Sequence, residues 1–125
     1  MRVGKPVRKP PTKAVAKPIT FVGTSLEDLR EFPRGARREA GFQLDKVQNG
    51  EEPDDWKPMS VFGSGAGEIR IRDEVGPFRV MYVAKFDEAV YVLHVFQKKT
   101  QKTAQRDLDL AKTRYREMAI KRRRL

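Results

Sequence analysis

The sequence predicts one α+β domain, in which an antiparallel β-meander is packed by an N-terminal helical hairpin and a C-terminal helix. Residues 67–73 and 78–86 alternate apolar and polar side chains, and residues 90–96 are apolar on both faces, as in a central strand. Elsewhere apolar residues recur at spacings of three and four, which is typical of amphipathic helices. With 125 residues, of which 38% are hydrophobic, the chain can form one modest core.

The ends of the chain differ from its middle in composition. Residues 1–17 hold six basic residues, no acidic residue and three prolines, which predicts a basic disordered arm. An extension without any role is an equally open interpretation. Residues 18–120 form the predicted domain, and residues 121–125 a basic tail. The first strand, at residues 18–23, is expected at a sheet edge or paired with a strand late in the sequence.

Two helices are predicted between the first strand and the meander. Thr24 or Ser25 can cap a short helix, and Pro33 is expected at the first position of a second one. Asn49 and Gly50 end that second helix. Its apolar stripe has spacings of four, four and three and comprises Ala36, Ala40, Leu44 and Val47. The helical hairpin is therefore expected to cover one face of the sheet.

The remaining elements flank the meander. Residues 56–62 predict a short strand, and the glycine-rich residues 63–67 a flexible connection, because they lack the phosphate-binding glycine motifs. Thr103 is expected to cap a last helix. The apolar stripe of that helix comprises Ala104, Leu108, Ala111, Tyr115 and Met118.

Composition limits the classes of function. The formal net charge is +10 and the isoelectric point about 10.2, which favours a polyanionic partner. Without cysteine the chain has no disulfide and no zinc–thiolate site, as is usual in a reducing compartment. No apolar run has the length of a membrane span, about 20 residues. We therefore expect a cytoplasmic protein with no membrane partner.

Strand alternation predicts which side chains leave the core. If the meander has one buried face, the other face carries a row of basic residues. This row comprises Arg70, Arg79, His94 and, at the end of the last strand, Lys98.

Several segments of the sequence carry a family resemblance. They are Lys57-Pro58-Met59, the glycine-rich turn before Glu68-Ile69-Arg70, the stretch FRVMY at 78–82, and the stretch VLHVFQKKTQKT at 92–103. Together with the predicted order of elements, they resemble the RelE/ParE toxin superfamily, and most closely its HigB-like, phage-derived branch. The resemblance covers about residues 17–116. It implies a RelE-like fold and a toxin of a type II toxin–antitoxin system.

The resemblance also implies an activity and its partners. Most toxins of this family cleave mRNA in the ribosomal A site without a metal ion or cofactor. The expected function is therefore a ribosome-dependent, metal-independent endoribonuclease that inhibits translation. The expected partners are the ribosome, mRNA and a cognate antitoxin of the helix-turn-helix DNA-binding type.

Metal-free RNA cleavage needs cations beside the phosphate and groups that transfer protons. The resemblance implies that Arg70 and Arg79 supply the positive charge and that Lys98 is the general acid. His94 is a further catalytic candidate because the usual histidine pKa is near 6.5, although a buried structural histidine is the commoner case. Lysine at position 98 and Glu68 depart from the RelE pattern, so the general base stays open.

A second set of residues is predicted to bind RNA: Lys57, Arg72, Phe96, Lys99 and Lys102. These residues also have plainer interpretations, because lysines often flank strands and Phe96 suits a core. In the catalytic set, Arg70 or Arg79 can be surface charges that pair with Glu68 or Asp87. Two other functions also remain open. One is a ParE-like inhibitor of DNA gyrase, and the other a nucleic-acid-binding module without catalysis.

Overall fold

A five-stranded mixed sheet organises the domain. The computed structural model describes residues 16–124. Its elements are β1 (Ile19–Phe21), α1 (Ser25–Arg30), α2 (Arg34–Gln48), β2 (Trp56–Pro58), β3 (Ala66–Asp73), β4 (Gly76–Val83), β5 (Val90–Gln97) and α3 (Gln105–Arg123). The strand order is β1-β5-β4-β3-β2, with β1 parallel to β5 and the other neighbours antiparallel. The predicted meander is confirmed, and β1 is an edge strand that pairs with the last strand.

The helical hairpin covers one face of the sheet, as predicted. Ala36 and Ala40 are fully buried, so α2 lies close against the strands. From the sheet, this core receives Ile69, Ile71, Phe78 and Val80, which are apolar positions that alternation assigned to one side, and also Val90 and Val92 of β5. All four residues of the predicted α2 stripe are buried.

The opposite face is also packed, which corrects the expectation of a single buried face. There α3 lies over Met81, Val83 and Leu93 and buries its own Ala111 and Met118 against them. The closing helix therefore divides this face into an apolar part beneath α3 and a polar part toward β2. Both faces of β4 and β5 are buried only along part of each strand. Alternation alone does not show where that part ends, so the division was not predicted.

A β-bulge interrupts the pairing of β4 with β5. Met81 lies opposite His94 and Tyr82 lies opposite Val92, so Leu93 is the extra residue. Leu93 packs in the α3 core, and the His94 ring bonds to Asp107 of α3. Both side chains thus reach toward the same helix.

The helix ends differ slightly from prediction. Asn49 ends α2 and Gly50 follows with φ of +80°, as expected. Pro33, however, is the N-cap of α2 and not its first residue. Ala104, not Thr103, is the N-cap of α3. Within residues 16–124, no helix is long and apolar enough to span a membrane.

The glycine-rich connection before β3 is packed tightly against α3, which differs from the expected flexible loop. The Tyr115 hydroxyl donates to the Ser64 carbonyl over 2.6 Å, and Lys85 Nζ donates to Ser64 Oγ over 3.0 Å. A Cβ atom at Gly63 would lie 2.1 Å from the Tyr115 ring. Glycine is therefore required here for a close approach between the loop and the helix.

Candidate active site

A cavity of about 500 Å³ opens on the polar part of the α3 face. Its walls come from β2, β3 and β4, from the segment after β5, and from the start of α3. Five of the predicted basic residues line it: Lys57, Arg70, Arg79, Lys98 and Lys102. The structure thus brings together cations from four separate parts of the sequence.

A carboxylate lies between the two arginines of this cavity. Arg70 and Arg79 are directly opposite each other on β3 and β4. Oε1 of Glu68 is 3.8 Å from Nε of Arg70 and 3.8 Å from Nε of Arg79. Only 2% of Glu68 is exposed. One buried negative charge therefore offsets part of the repulsion between two cations.

The environment of Arg79 favours interaction with an anion. Burial lowers the pKa of Arg79, and the nearby Glu68 carboxylate opposes that shift. The ordinary pKa of an arginine is so high that the guanidinium stays charged at neutral pH. Arg79 Nη1 donates to the Phe78 carbonyl over 3.1 Å, which fixes the direction of the side chain. A charged and partly desolvated guanidinium interacts more strongly with a phosphate than an exposed one does.

Several polar atoms of the cavity have no hydrogen-bond partner among the residues that the structure describes. They are Nε of Arg70, Nε of Arg79 and Oε2 of Glu68, and all three atoms are buried. Two donors and one acceptor are thus gathered at one place. An oxyanion beside the arginines would accept from the donors, and a hydroxyl beside Glu68 would donate to the acceptor.

The lysines of the cavity are held in different ways. The backbone N–H of Lys98 donates to the Pro77 carbonyl over 2.8 Å, which extends the pairing beyond β5. Its Nζ donates to the Gln101 carbonyl and so closes the turn that carries Lys102. Lys57 lies opposite Glu68 across β2 and β3, with an exposed side chain. Lys98 is thus the anchored lysine of the three.

Comparison with known families agrees with this fold. The family described as phage derived protein Gp49-like (DUF891) matches residues 27–116. The chain belongs to the Gp49-like family. That family is part of the RelE/ParE-like toxin superfamily, and the five-stranded sheet with its closing helix is consistent with a RelE-like fold. No curated protein matches the chain significantly. Gp49-like membership is consistent with a toxin of a toxin–antitoxin pair and with an antitoxin partner.

Four of the predicted site residues do not line the cavity of this Gp49-like protein. His94 is only 6% exposed and lies under α3, where Nε2 is 2.8 Å from Oδ1 of Asp107. Burial lowers the pKa of His94, against the effect of Asp107. Phe96 and Lys99 line a neighbouring groove. Arg72 is exposed farther along β3, toward the turn before β4.

The Gp49-like cavity also contains residues that sequence reasoning missed. Gln105 and Leu108 come from the first turn of α3, and Met59 from the segment after β2. No local sequence pattern predicts that these residues line the cavity, because only tertiary packing brings them there. Glu68 did have a signal, since a charged residue two positions before Arg70 shares its side of the strand.

A metal site is not evident in the described part of this chain. Among residues 16–124, no three side chains of the His, Cys, Asp or Glu type are grouped so that they could hold a metal ion.

Proposed function

We propose that this Gp49-like protein is a HigB-like toxin of a type II toxin–antitoxin system and cleaves mRNA on the ribosome. One observation carries the proposal: five basic side chains and one buried carboxylate line a single open cavity. Such a set can bind a phosphate, stabilise added negative charge on it and move protons.

The proposed reaction is an internal transesterification of RNA that uses only groups of this chain. The 2′-hydroxyl loses its proton and its oxygen forms a bond to the adjacent phosphorus, while the bond from phosphorus to the 5′-oxygen breaks. Negative charge grows on the non-bridging oxygens during this step. Arg70 and Arg79 face that charge, and the planar guanidinium group suits two phosphate oxygens at once.

Proton transfer is assigned to Glu68 and Lys98. The Glu68 carboxylate takes the proton from the 2′-hydroxyl, since Oε2 has no hydrogen-bond partner among the described residues. Lys98 gives a proton to the leaving 5′-oxygen, because it is an ammonium anchored at the cavity wall. In this proposal Glu68 is the general base, whose identity the sequence left open.

The remaining basic residues bind the RNA strand on either side of the cleaved phosphate. Lys57 and Lys102 line the cavity, and Lys99 and Arg72 extend the basic surface beyond it. Phosphate contacts of this kind position RNA without reading its sequence. An antitoxin, of the helix-turn-helix type in this proposal, neutralises the same cations by covering them or by inserting acidic groups.

The test is primer extension on an mRNA translated in a purified system, with wild-type protein and two variants. Arg79→Ala is expected to lower cleavage by about 10²–10³-fold, as the loss of one donor to a developing oxyanion does. Arg38→Ala is the matched control, because Arg38 is an exposed arginine of α2 on the other side of the sheet. It is expected to cleave like wild type.

Three results would contradict the proposal. Equal cleavage by Arg79→Ala and wild type would exclude the site, and equal loss in Arg38→Ala would exclude a local effect. If wild-type protein leaves the mRNA intact, a gyrase supercoiling assay distinguishes a ParE-like inhibitor from a nucleic-acid-binding module.

A further inference from the structure

A groove of about 330 Å³ adjoins the proposed active site and shares Lys98 with it. The groove lies between the end of β5 and the start of α3. Lys99 and Arg106 supply positive charge at its rim, and the aromatic ring of Phe96 lines it. Basic and aromatic groups side by side are the combination by which proteins hold single-stranded nucleic acid.

The Phe96 ring is supported from behind by His94. The two rings are stacked, with centroids 4.9 Å apart and planes at 17°. His94 in turn is fixed by Asp107 of α3, to which Nε2 donates. Phe96 itself is only half-buried, whereas His94 is buried. The pair therefore presents one braced aromatic ring toward the groove.

The position of Phe96 relative to the phosphate site is set by strand pairing. Phe96 lies directly opposite Arg79 on the neighbouring strand. Side chains at such positions have Cβ atoms about 4.5–5.5 Å apart. A nucleotide whose phosphate contacts Arg79 therefore has its base within reach of the Phe96 ring.

We propose that Phe96, braced by His94, is a stacking platform for the nucleobase next to the cleaved phosphate. The inference rests on the proposed function and adds a base subsite to it. A ring accepts any base, and a purine overlaps it more fully than a pyrimidine. His94 is on this account a positioning residue that acts through Phe96 and transfers no proton. The competing explanation is that Phe96 only packs against the α3 core, which it also contacts.

The first experiment removes the base instead of the side chain. Ribosomes are programmed with an mRNA that carries one abasic ribonucleotide, which keeps its 2′-hydroxyl, on either side of the cleavage position. Wild type is expected to cleave one of these mRNAs about 10–100-fold more slowly than the intact mRNA. Phe96→Leu should cleave the intact mRNA and that abasic mRNA at the same reduced rate. Phe96→Tyr should keep the wild-type preference for the intact mRNA.

Val95→Ala controls for loss of stability. Val95 is buried on the opposite face of β5, so its truncation weakens the core without changing the groove. It should retain the preference for an intact base even if its melting temperature falls as far as that of Phe96→Leu. A preference for the base that survives in Phe96→Leu would overturn the proposal, as would its loss in Val95→Ala.

Variants of His94 separate support of the ring from proton transfer. His94→Phe keeps an aromatic ring behind Phe96, and His94→Gln keeps a donor to Asp107 but no ring. The platform predicts that His94→Phe retains the base preference and the wild-type pH profile of cleavage, and that His94→Gln loses the preference. An equal loss of all cleavage in both variants would contradict the positioning role.

A binding measurement keeps the test separate from cleavage. The probe is an mRNA in the ribosomal A site with a 2′-O-methyl group at the cleavage position and 2-aminopurine as the flanking base. Stacking on Phe96 should change 2-aminopurine fluorescence with wild type but not with Phe96→Leu. If wild type cleaves no mRNA, the proposed function fails, and the fluorescence signal alone then tests whether a base stacks on Phe96. Identical signals from wild type and Phe96→Leu would exclude it.

Discussion

Arg70 and Arg79 lie directly opposite each other on adjacent strands, with the buried Glu68 carboxylate 3.8 Å from Nε of each. Two like charges at paired positions of an antiparallel sheet repel each other. Here the repulsion is offset by a third side chain of the same face, Glu68. The three side chains are therefore a unit, and a change in one alters what the other two can bind.

Replacing Glu68 with glutamine should separate binding from catalysis. Glu68→Gln keeps the size of the side chain and removes a negative charge from the cavity, so RNA should bind more tightly. Cleavage should slow by about 10²–10⁴-fold if the carboxylate is the general base. RNA affinity is measured by fluorescence anisotropy and cleavage by primer extension. A parallel loss of affinity and cleavage would show that Glu68 is structural.

Lys98 should be sensitive to the kind of cation at its position. Lys98→Ala removes the proposed general acid and should slow cleavage by about 10²–10⁴-fold. Lys98→Arg restores the charge beside the phosphate but donates a proton poorly, so it should recover only part of the rate. Single-turnover cleavage on programmed ribosomes measures all three proteins. Full activity of Lys98→Ala would remove Lys98 from the mechanism.

The end of α3 should make stability depend on acid pH. Hydrogen bonds from Arg122 and Tyr91 lower the pKa of Glu88 to about 2, from an ordinary 4.5. Because the pKa is depressed in the folded state, the stabilisation is present above about pH 4.5 and is lost as the pH falls toward 2. Glu88→Gln should melt slightly lower at pH 7, because a solvent-exposed ion pair contributes little to stability, and the difference should shrink at pH 3. Thermal unfolding by circular dichroism measures both, and an equal difference at the two pH values would contradict the assignment.

Glycine at position 63 should be required for packing against α3. Gly63→Ala places a methyl group against the Tyr115 ring and should destabilise the fold by about 1–3 kcal/mol. Gly41 is the matched control, because a Cβ atom at that exposed position of α2 meets nothing within 4 Å. Gly41→Ala should instead stabilise by about 0.5–1 kcal/mol. Urea unfolding compares the two, and similar effects would show that close approach is not the reason for Gly63.

Much of the fold follows from sequence patterns. Alternation in β3 and β4 correctly assigns Ile69 and Val80 to the helical-hairpin side, and Arg70 and Arg79 to the other. The spacing of the α2 stripe identifies the buried face of that helix. These features are local, because the side-chain periods of a strand (2 residues) and of a helix (3.6 residues) can be recognised within a short stretch of sequence.

What could not be predicted depends on contacts between distant residues. The bulge at Leu93 and the packing of Tyr115 on Gly63 are invisible in either local segment. The sequence predicted His94 and Lys98 in one row on the same face of the sheet, and the structure has them there. However, α3 covers the end of the row at His94 and leaves the end at Lys98 open. Which of the two lies in the cavity is therefore decided by the course of α3.

The pairing of β1 with β5 has a consequence for how the chain is made. Residue 19 finds its partner at residue 90, so the first strand has no neighbour until the last one has been synthesised. Contacts between residues far apart in the sequence form late, because a long loop must close first. The cavity also needs Lys98 and the start of α3. A nascent chain therefore carries Arg70 and Arg79 well before the cavity that they line can form.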